Sequence, residues 1–375
     1  MRRGLAVLSV AGLLLIAGCT TGFDAGIGPD DDDRRNPDDP GSTPDGELEI
    51  HHIDVGQADA TLLTTPDGET VLIDTGDWRD DGESVIAALE DRGVDRIDHL
   101  IATHAHADHI GGHTAVIEHF EERGDGVGAA YDPGVAHTSA TYERYLDAIE
   151  AHDVALFEVA DGDELPIADE AVTAAVLNPP AEGADRGGDI DDASVALRIT
   201  FGEFAYLTTG DAGRDAEQRL VRDREDDLAA DVYQAGHHGS STSSHDRFLA
   251  AVDPEIAIVS SAADSRYGHP HDEVLESFAD RGVETYWTGV HGDIVVATDG
   301  ETASVTTDRD APTDARALLE AKRDESGRDR IGSSGDRVDP IAAPSTAPAI
   351  PTIGAADPSA GRPTIDIPGA RPLTP

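Results

Sequence analysis

A chain of 375 residues allows one large domain or two ordinary ones. Its 76 acidic residues against 27 basic ones give a formal net charge of −49, which excludes a generally basic, nucleic-acid-coating surface. The single cysteine excludes an internal disulfide and any cysteine-rich zinc site. Long apolar-periodic stretches between residues 47 and 306 argue against disorder there. The charge then reads as an acidic shell on a folded domain, as in proteins that work in molar salt. At 1 M the Debye length is about 3 Å and self-repulsion is largely screened.

Arg2-Arg3 precede an uncharged run over 4–18 that ends in Leu13-Leu14-Leu15-Ile16-Ala17-Gly18-Cys19. This is a charged n-region, an apolar h-region and a small-residue cleavage site. The run is too short to span a bilayer comfortably. Ala17-Gly18-Cys19 resembles a lipobox and the arginine pair a twin-arginine export signal. Residues 1–18 are thus expected to be a signal peptide and Cys19 the lipidated first residue of an exported lipoprotein. Its place would be the outer face of the cytoplasmic membrane. A plain anchor helix with a free thiol is the competing reading. Residues 19–46 read as an acidic Pro/Gly-rich tether, with Asp30 to Asp33 in a row and Pro29, Pro37, Pro40 and Pro44 preventing a helix.

The folded part is expected over 47–308. Residues 48–53, 60–65 and 70–73 read as strands, the last two joined by the turn Pro66-Asp67-Gly68. A helix over 84–91 and a buried strand over 99–102 follow. Helices are expected over 114–122, 142–151, 216–223 and 273–280. Strands are expected over 172–177, 195–200, 204–208, 231–234, 256–260 and 294–297. Hairpins and crossovers together imply an α/β domain with mixed β-sheets. Residues 309–375 hold ten of the 21 prolines and read as a disordered tail, with at most a short helix over 315–323.

The strand over 99–102 runs into His104-Ala105-His106-Ala107-Asp108-His109-Ile110-Gly111-Gly112. Residues two apart in an extended segment point the same way, so His104 and His106 can grip one metal. Asp108 and His109 follow as the chain turns and can grip a second. The glycine pair lets the backbone pass close by. A scatter of surface histidines and aspartates is the bland alternative, but the carboxyl end of a strand is the usual place for a site in α/β sheets.

The flanking motifs carry a resemblance. His52-Ile53-Asp54-Val55-Gly56-Gln57-Ala58-Asp59-Ala60, Leu72-Ile73-Asp74-Thr75-Gly76 and Leu207-Thr208-Thr209-Gly210-Asp211-Ala212 are similar to the metallo-β-lactamase-like domain of the ComEC family. So are His237-His238-Gly239-Ser240 and Tyr267-Gly268-His269-Pro270-His271. The resemblance implies a four-layer αββα sandwich with two divalent metal ions at one edge, zinc first and manganese as the alternative. It implies Asp211 as the bridging carboxylate and His237 as the last ligand of the second metal. Asp54 and Asp74 would be supports that orient ligands. Asp108, Asp211, His238 and His269 are the candidate catalytic residues, His269 as a substrate contact or proton donor.

Some of these residues have other readings. Asp211 suits a helix cap for 213–223. Ser240, Ser241 and Thr242 offer hydroxyls and backbone N–H groups that can cradle a phosphate. They also suit a polar loop before a helix near His245, capped by Ser244. A further histidine on the first metal is expected in such domains. None of His113, His119, His137 and His152 ends a buried strand, and Asn178 is a weak ligand. The expected function is a metal-dependent phosphodiesterase or nuclease, its partners being nucleic acid or another phosphodiester and, through the lipid, the membrane. The alternatives are a lactonase or β-lactamase-like hydrolase of small cyclic esters or amides, and an inactive, metal-stabilised binding lipoprotein.

Overall fold

The computed structural model describes residues 45–181, 189–332 and 371–372. The expected signal peptide, Cys19, nearly all of the tether and most of the expected tail lie outside the described residues.

One sheet begins as an antiparallel meander of β1 (Leu48–His52), β2 (Thr61–Thr64) and β3 (Thr70–Ile73). It continues in parallel through β4 (Ile97–Ile101), β5 (Val127–Asp132) and β6 (Ala155–Glu158). The crossovers are α1 (Glu83–Asp91), α2 (His113–Arg123) and α3 (Ala140–His152). The second sheet is again half antiparallel, with β7 (Val172–Asn178), β8 (Ala196–Phe201) and β9 (Phe204–Thr208). Its parallel half is β10 (Val232–Gln234), β11 (Ile256–Val259) and β12 (Glu284–Trp287). The helices α4 (Arg214–Arg224), α6 (Asp246–Val252) and α7 (Asp272–Arg281) make those crossovers, and α5 (Gly236–Gly239) is a single turn after β10. A further turn, α8 (Thr288–His291), leads to β13 (Ile294–Thr298), which returns to the first sheet beside β1 and carries β14 (Ala303–Thr307) at the edge.

Strand alternation sorts the side chains into layers. Val71, Ile73, Ile101 and Tyr131 face Val176, Leu197, Tyr206 and Ile258 between the sheets. Their neighbours Leu72, Leu100 and Ala130 point outward and meet Val116, Phe120 and Tyr145 of α2 and α3. On the far side Leu207, Tyr233 and Val259 meet Leu220, Phe248 and Phe278. This is the expected αββα order. Leu100 and Ile101, neither exposed at all, each contribute roughly 1.5–3 kcal/mol relative to an exposed side chain. The sheets therefore form a rigid base for the loops at their carboxyl ends.

The boundary expected at residue 308 is corrected. Helix α9 (Ala315–Gly332) packs onto the domain, with Ala315, Leu318 and Leu319 buried. Arg316 pairs with Asp280, and Arg323 pairs with Asp272 and Glu276, all on α7. The apolar residues three and four apart in this segment make one face, which suffices to dock it. A last short strand, β15 (Arg371–Pro372), pairs with β6. No helix among the described residues is long and apolar enough to cross a membrane.

Candidate metal centre

The loop after β4 is fixed before any side chain reaches the site. Asp74, at the end of β3, accepts hydrogen bonds from Thr103 N at 2.9 Å and from Thr103 Oγ1 at 2.7 Å. A Cβ on Gly111 would lie 2.1 Å from Trp78 N, and one on Gly112 would lie 2.5 Å from Thr75 O. The glycine pair is required by this close approach of the 74–82 loop. Across the sandwich Gly210 adopts φ +51°, and a Cβ there would sit 2.9 Å from Thr103 Cβ. The loops bearing His104 and Asp211 are thereby pressed together.

Two clusters result, and Asp211 belongs to both. In the first, His104 Nε2 lies 3.8 Å from Asp211 Oδ2 and 3.0 Å from His106 Nδ1. In the second, His109 Nε2 lies 3.2 Å from Asp211 Oδ1. His238 Nε2 is 3.9 Å from Asp211 Oδ2, and 3.5 Å from Oδ2 of Asp108, an expected ligand that lies outside both clusters. Asp211 is 2% exposed and does not cap α4. That task falls to Asp192, whose Oδ1 accepts from Gly213 N and Ala216 N.

The rear faces of the rings are held as metal ligands require. His109 Nδ1 donates to Asp74 Oδ2 at 2.7 Å, and His238 Nδ1 donates to Ser260 O at 3.1 Å. Each Nε2 lone pair is thus turned toward the carboxylates. Asp59 is the fourth member of the second cluster, with Oδ1 3.6 Å from His238 Nδ1 and Oδ2 4.0 Å from His109 Nδ1.

The donor set fits a cation. His109 Nε2, His238 Nε2, Asp191 Oδ1 and Asp211 Oδ1 are buried polar atoms that no hydrogen bond satisfies. Such atoms are costly unless something else binds them. Burial opposes charge on Asp211, yet the histidines His109 and His238 hold its carboxyl well below the usual range. Burial likewise opposes a proton on His109, but Asp211 and Asp74 hold it well above the ordinary imidazole value. A pocket that stabilises positive charge so strongly suits a divalent ion in place of the proton.

Several expectations are corrected. His237, expected in the second metal position, is outside both clusters, its side chain 27% exposed against 2% for His238. Its Nδ1 is 3.1 Å from Thr242 Oγ1 and its Nε2 3.5 Å from Asp211 Oδ2, at the mouth of the site. Asp54 supports no ligand; it pairs with Arg309 at 3.1 Å. Ser240, Ser241 and Thr242 form no anion nest. Every backbone N–H from Ser240 to His245 already has an acceptor: His237 O, His271 Nδ1, Ser240 Oγ, Ser240 O or the Glu217 carboxylate. His269 sits beside the site, its Nδ1 3.2 Å from Gln57 Nε2. Burial first, then His238 and His271, push it down to about 3, so the ring is neutral near pH 7; with Nδ1 accepting from the Gln57 amide, its one proton sits on Nε2, which can donate a hydrogen bond.

The cluster members missed in the sequence are Asp59, in the second cluster, and, in the first, Asp191. Its Oδ1 lies 3.0 Å from His106 Nδ1 and 3.6 Å from His104 Nε2, in the place expected of a further histidine. Asn178, at the end of β7, serves it indirectly by donating to Asp192 O at 3.1 Å and Ser194 O at 2.7 Å. His137 is not in either cluster; its ring centroid is 6.0 Å from that of His106.

Comparison with known proteins identifies the family. The profile of the family described as "Metallo-beta-lactamase superfamily" matches residues 53–263. The chain is 31% identical over 264 residues to "ComE operon protein 3" of Bacillus subtilis (strain 168), covering 66% of this chain and 33% of that one. It is 29% identical over 257 residues to "Competence protein ComA" of Neisseria gonorrhoeae, covering 68% and 33%. The chain spans about a third of the length of these relatives. Among solved structures, CmlA, a diiron beta-hydroxylase from Streptomyces venezuelae, aligns with a TM-score of 0.44 at 17% identity over 68% of this chain and 54% of that one. The chain belongs to the metallo-beta-lactamase superfamily, with the domain type of the ComEC-type competence proteins.

Proposed function

We propose that this chain is a metal-dependent phosphodiesterase or nuclease, exported and held at the outer face of the cytoplasmic membrane by a lipid on Cys19. The observation that carries the catalytic part is Asp211, a buried carboxylate shared by two clusters in which His109 Nε2, His238 Nε2, Asp191 Oδ1 and Asp211 Oδ1 have no hydrogen-bond partner. His104, His106 and Asp191 would hold one ion and Asp108, His109 and His238 the other, with Asp211 between them. When bound, two divalent ions lower the pKa of water toward neutrality and polarise a phosphoryl oxygen. Asp74 and Ser260 O hold the second-cluster rings in the ligating tautomer. His237, Ser241 and Thr242 line the open side of the site with Asp211 and Arg214, where a substrate would enter. His269, its Nδ1 taken by the Gln57 amide, is placed to donate a hydrogen bond to it through Nε2–H.

Phosphodiesters suit two adjacent cations, and the names of the relatives, competence proteins and a "Recombination protein 2" of Haemophilus influenzae, support nucleic acid over a lactam. The test is turnover by the full chain, reconstituted with zinc or manganese in molar potassium chloride. The substrates are single- and double-stranded DNA, RNA, a chromogenic phosphodiester and a chromogenic lactone. The proposal expects cleavage of phosphodiesters and none after chelation. Turnover of the lactone alone would assign the site to cyclic esters instead.

A further inference from the structure

Aromatic residues are scarce here, 4% of the chain, and most are buried. Among the described residues, the large hydrophobic side chains that stay exposed are Trp78, at 47%, and Tyr267, at 57%. Both flank the metal centre. Trp78 N donates to Ala107 O at 3.0 Å, so the tryptophan is tied to the backbone between His106 and Asp108. The Tyr267 ring lies 5.7 Å from the His269 ring, which is itself 5.8 Å from His237 and 6.2 Å from His238. Each exposed ring also has an arginine over it. Arg79 stands 4.7 Å from the Trp78 centroid and Arg266 stands 5.4 Å from that of Tyr267.

We propose that Trp78 and Tyr267 are stacking platforms for unpaired nucleobases on the two sides of the metal centre, and that the substrate is a single strand. This rests on the phosphodiesterase reading above and names its substrate class. The electrostatics favour it. Among the described residues, the cleft beside Asp211 is lined by Asp189, Asp191, Asp192 and Asp215, with Arg214 as its one arginine beside His237 and His245, and the chain as a whole carries −49. Phosphates away from the metals are therefore repelled in dilute buffer, and in molar salt, where that repulsion is screened, counterion release adds little attraction either. Stacking does not depend on net charge and so is not screened by salt, and every base offers a π-face to an aromatic ring. Arg79 and Arg266 add cation–π and stacking contacts at the same points. A duplex keeps its bases stacked on one another and offers neither ring an open face.

The test is fluorescence anisotropy with the full chain in molar potassium chloride and a chelator, so that binding is read without cleavage. The probes are a short labelled oligothymidylate and an abasic strand of the same length. The wild type should prefer the oligothymidylate. Trp78→Ala and Tyr267→Ala should each lose about tenfold for it and nothing for the abasic strand. Trp78→Phe and Tyr267→Phe, which keep a ring, should retain most of the affinity. Equal wild-type affinity for the two strands, or alanine variants that lose nothing, would overturn the platforms. So would variants that keep oligothymidylate binding and instead lose affinity for anionic phospholipid vesicles. The parent reading is checked apart from this: if the metal-loaded wild type cleaves no phosphodiester, the enzyme assignment fails whatever the anisotropy reads.

Discussion

His237 and His238 are neighbours in sequence, both in the left-handed region with φ 54° and 55°, yet their fates differ. The turn sends one ring to the mouth of the site and the other into the core. His238→Ala should therefore lose one bound ion and roughly a hundredfold in rate, as expected when a major electrostatic contribution goes. His237→Ala should keep both ions and change KM more than kcat. Metal analysis of the two variants checks this, and equal metal loss from both would show that the cluster is drawn wrongly. The ligands after β4 were legible because period-2 spacing after an apolar strand has few other uses. The choice between His237 and His238 was not, because two left-handed residues in succession break any such period. Asp191 was hidden differently. It lies in Asp189-Ile190-Asp191-Asp192, which in so acidic a chain looks like more of the shell. Only folding brings it against His106.

At the level of elements, β1 to β4 and β7 to β11 were readable from apolar alternation and turn residues. β5, Val-Gly-Ala-Ala-Tyr-Asp, escaped notice because small residues give little pattern, and β14 because an exposed edge strand needs none. Helix α9 was underestimated because its role depends on a partner far away in sequence. Lys322, the single lysine of the chain, donates to Gly268 O at 2.9 Å, Pro270 O at 2.6 Å and Asp272 Oδ1 at 2.8 Å. It thereby clasps the loop that carries His269. Lys322→Met should lower Tm by about 2–4 °C, the shift that about 1 kcal/mol produces in a domain of this size. The contribution is pH-dependent. The Lys322 hydrogen bond, and then that of Arg323, hold the Asp272 carboxyl below its ordinary value in the folded state. A depressed carboxylate stabilises the fold above its unfolded pKa, and that stability is lost as pH falls through the folded value. The Tm difference between wild type and Lys322→Met should thus be full at neutral pH and shrink in acid below the normal carboxylate range. A difference that persists unchanged in acid would mean that Lys322 acts through packing alone.

For the whole molecule the dominant fact is charge. With −49 on the chain, and two more negative if Arg2 and Arg3 are removed with a signal peptide, self-repulsion competes with the cores on both faces of the sheets. Thermal melting in a potassium chloride series should show Tm rising from dilute buffer to molar salt. A flat series would remove the high-salt reading and leave an ordinary acidic protein. The same charge concentrates cations, so metal counts must be taken after exhaustive desalting to report the buried centre and not the shell. That count is the most direct test of the account. Full-length protein equilibrated with zinc in molar salt, desalted and analysed by mass spectrometry of the elements, should retain about two ions per chain, as a carboxylate-bridged pair requires. Asp211→Asn, with unchanged circular dichroism, should fall toward one. A wild type that retains none, or an Asp211→Asn variant that retains as many as the wild type, would contradict a metal pair bridged by Asp211.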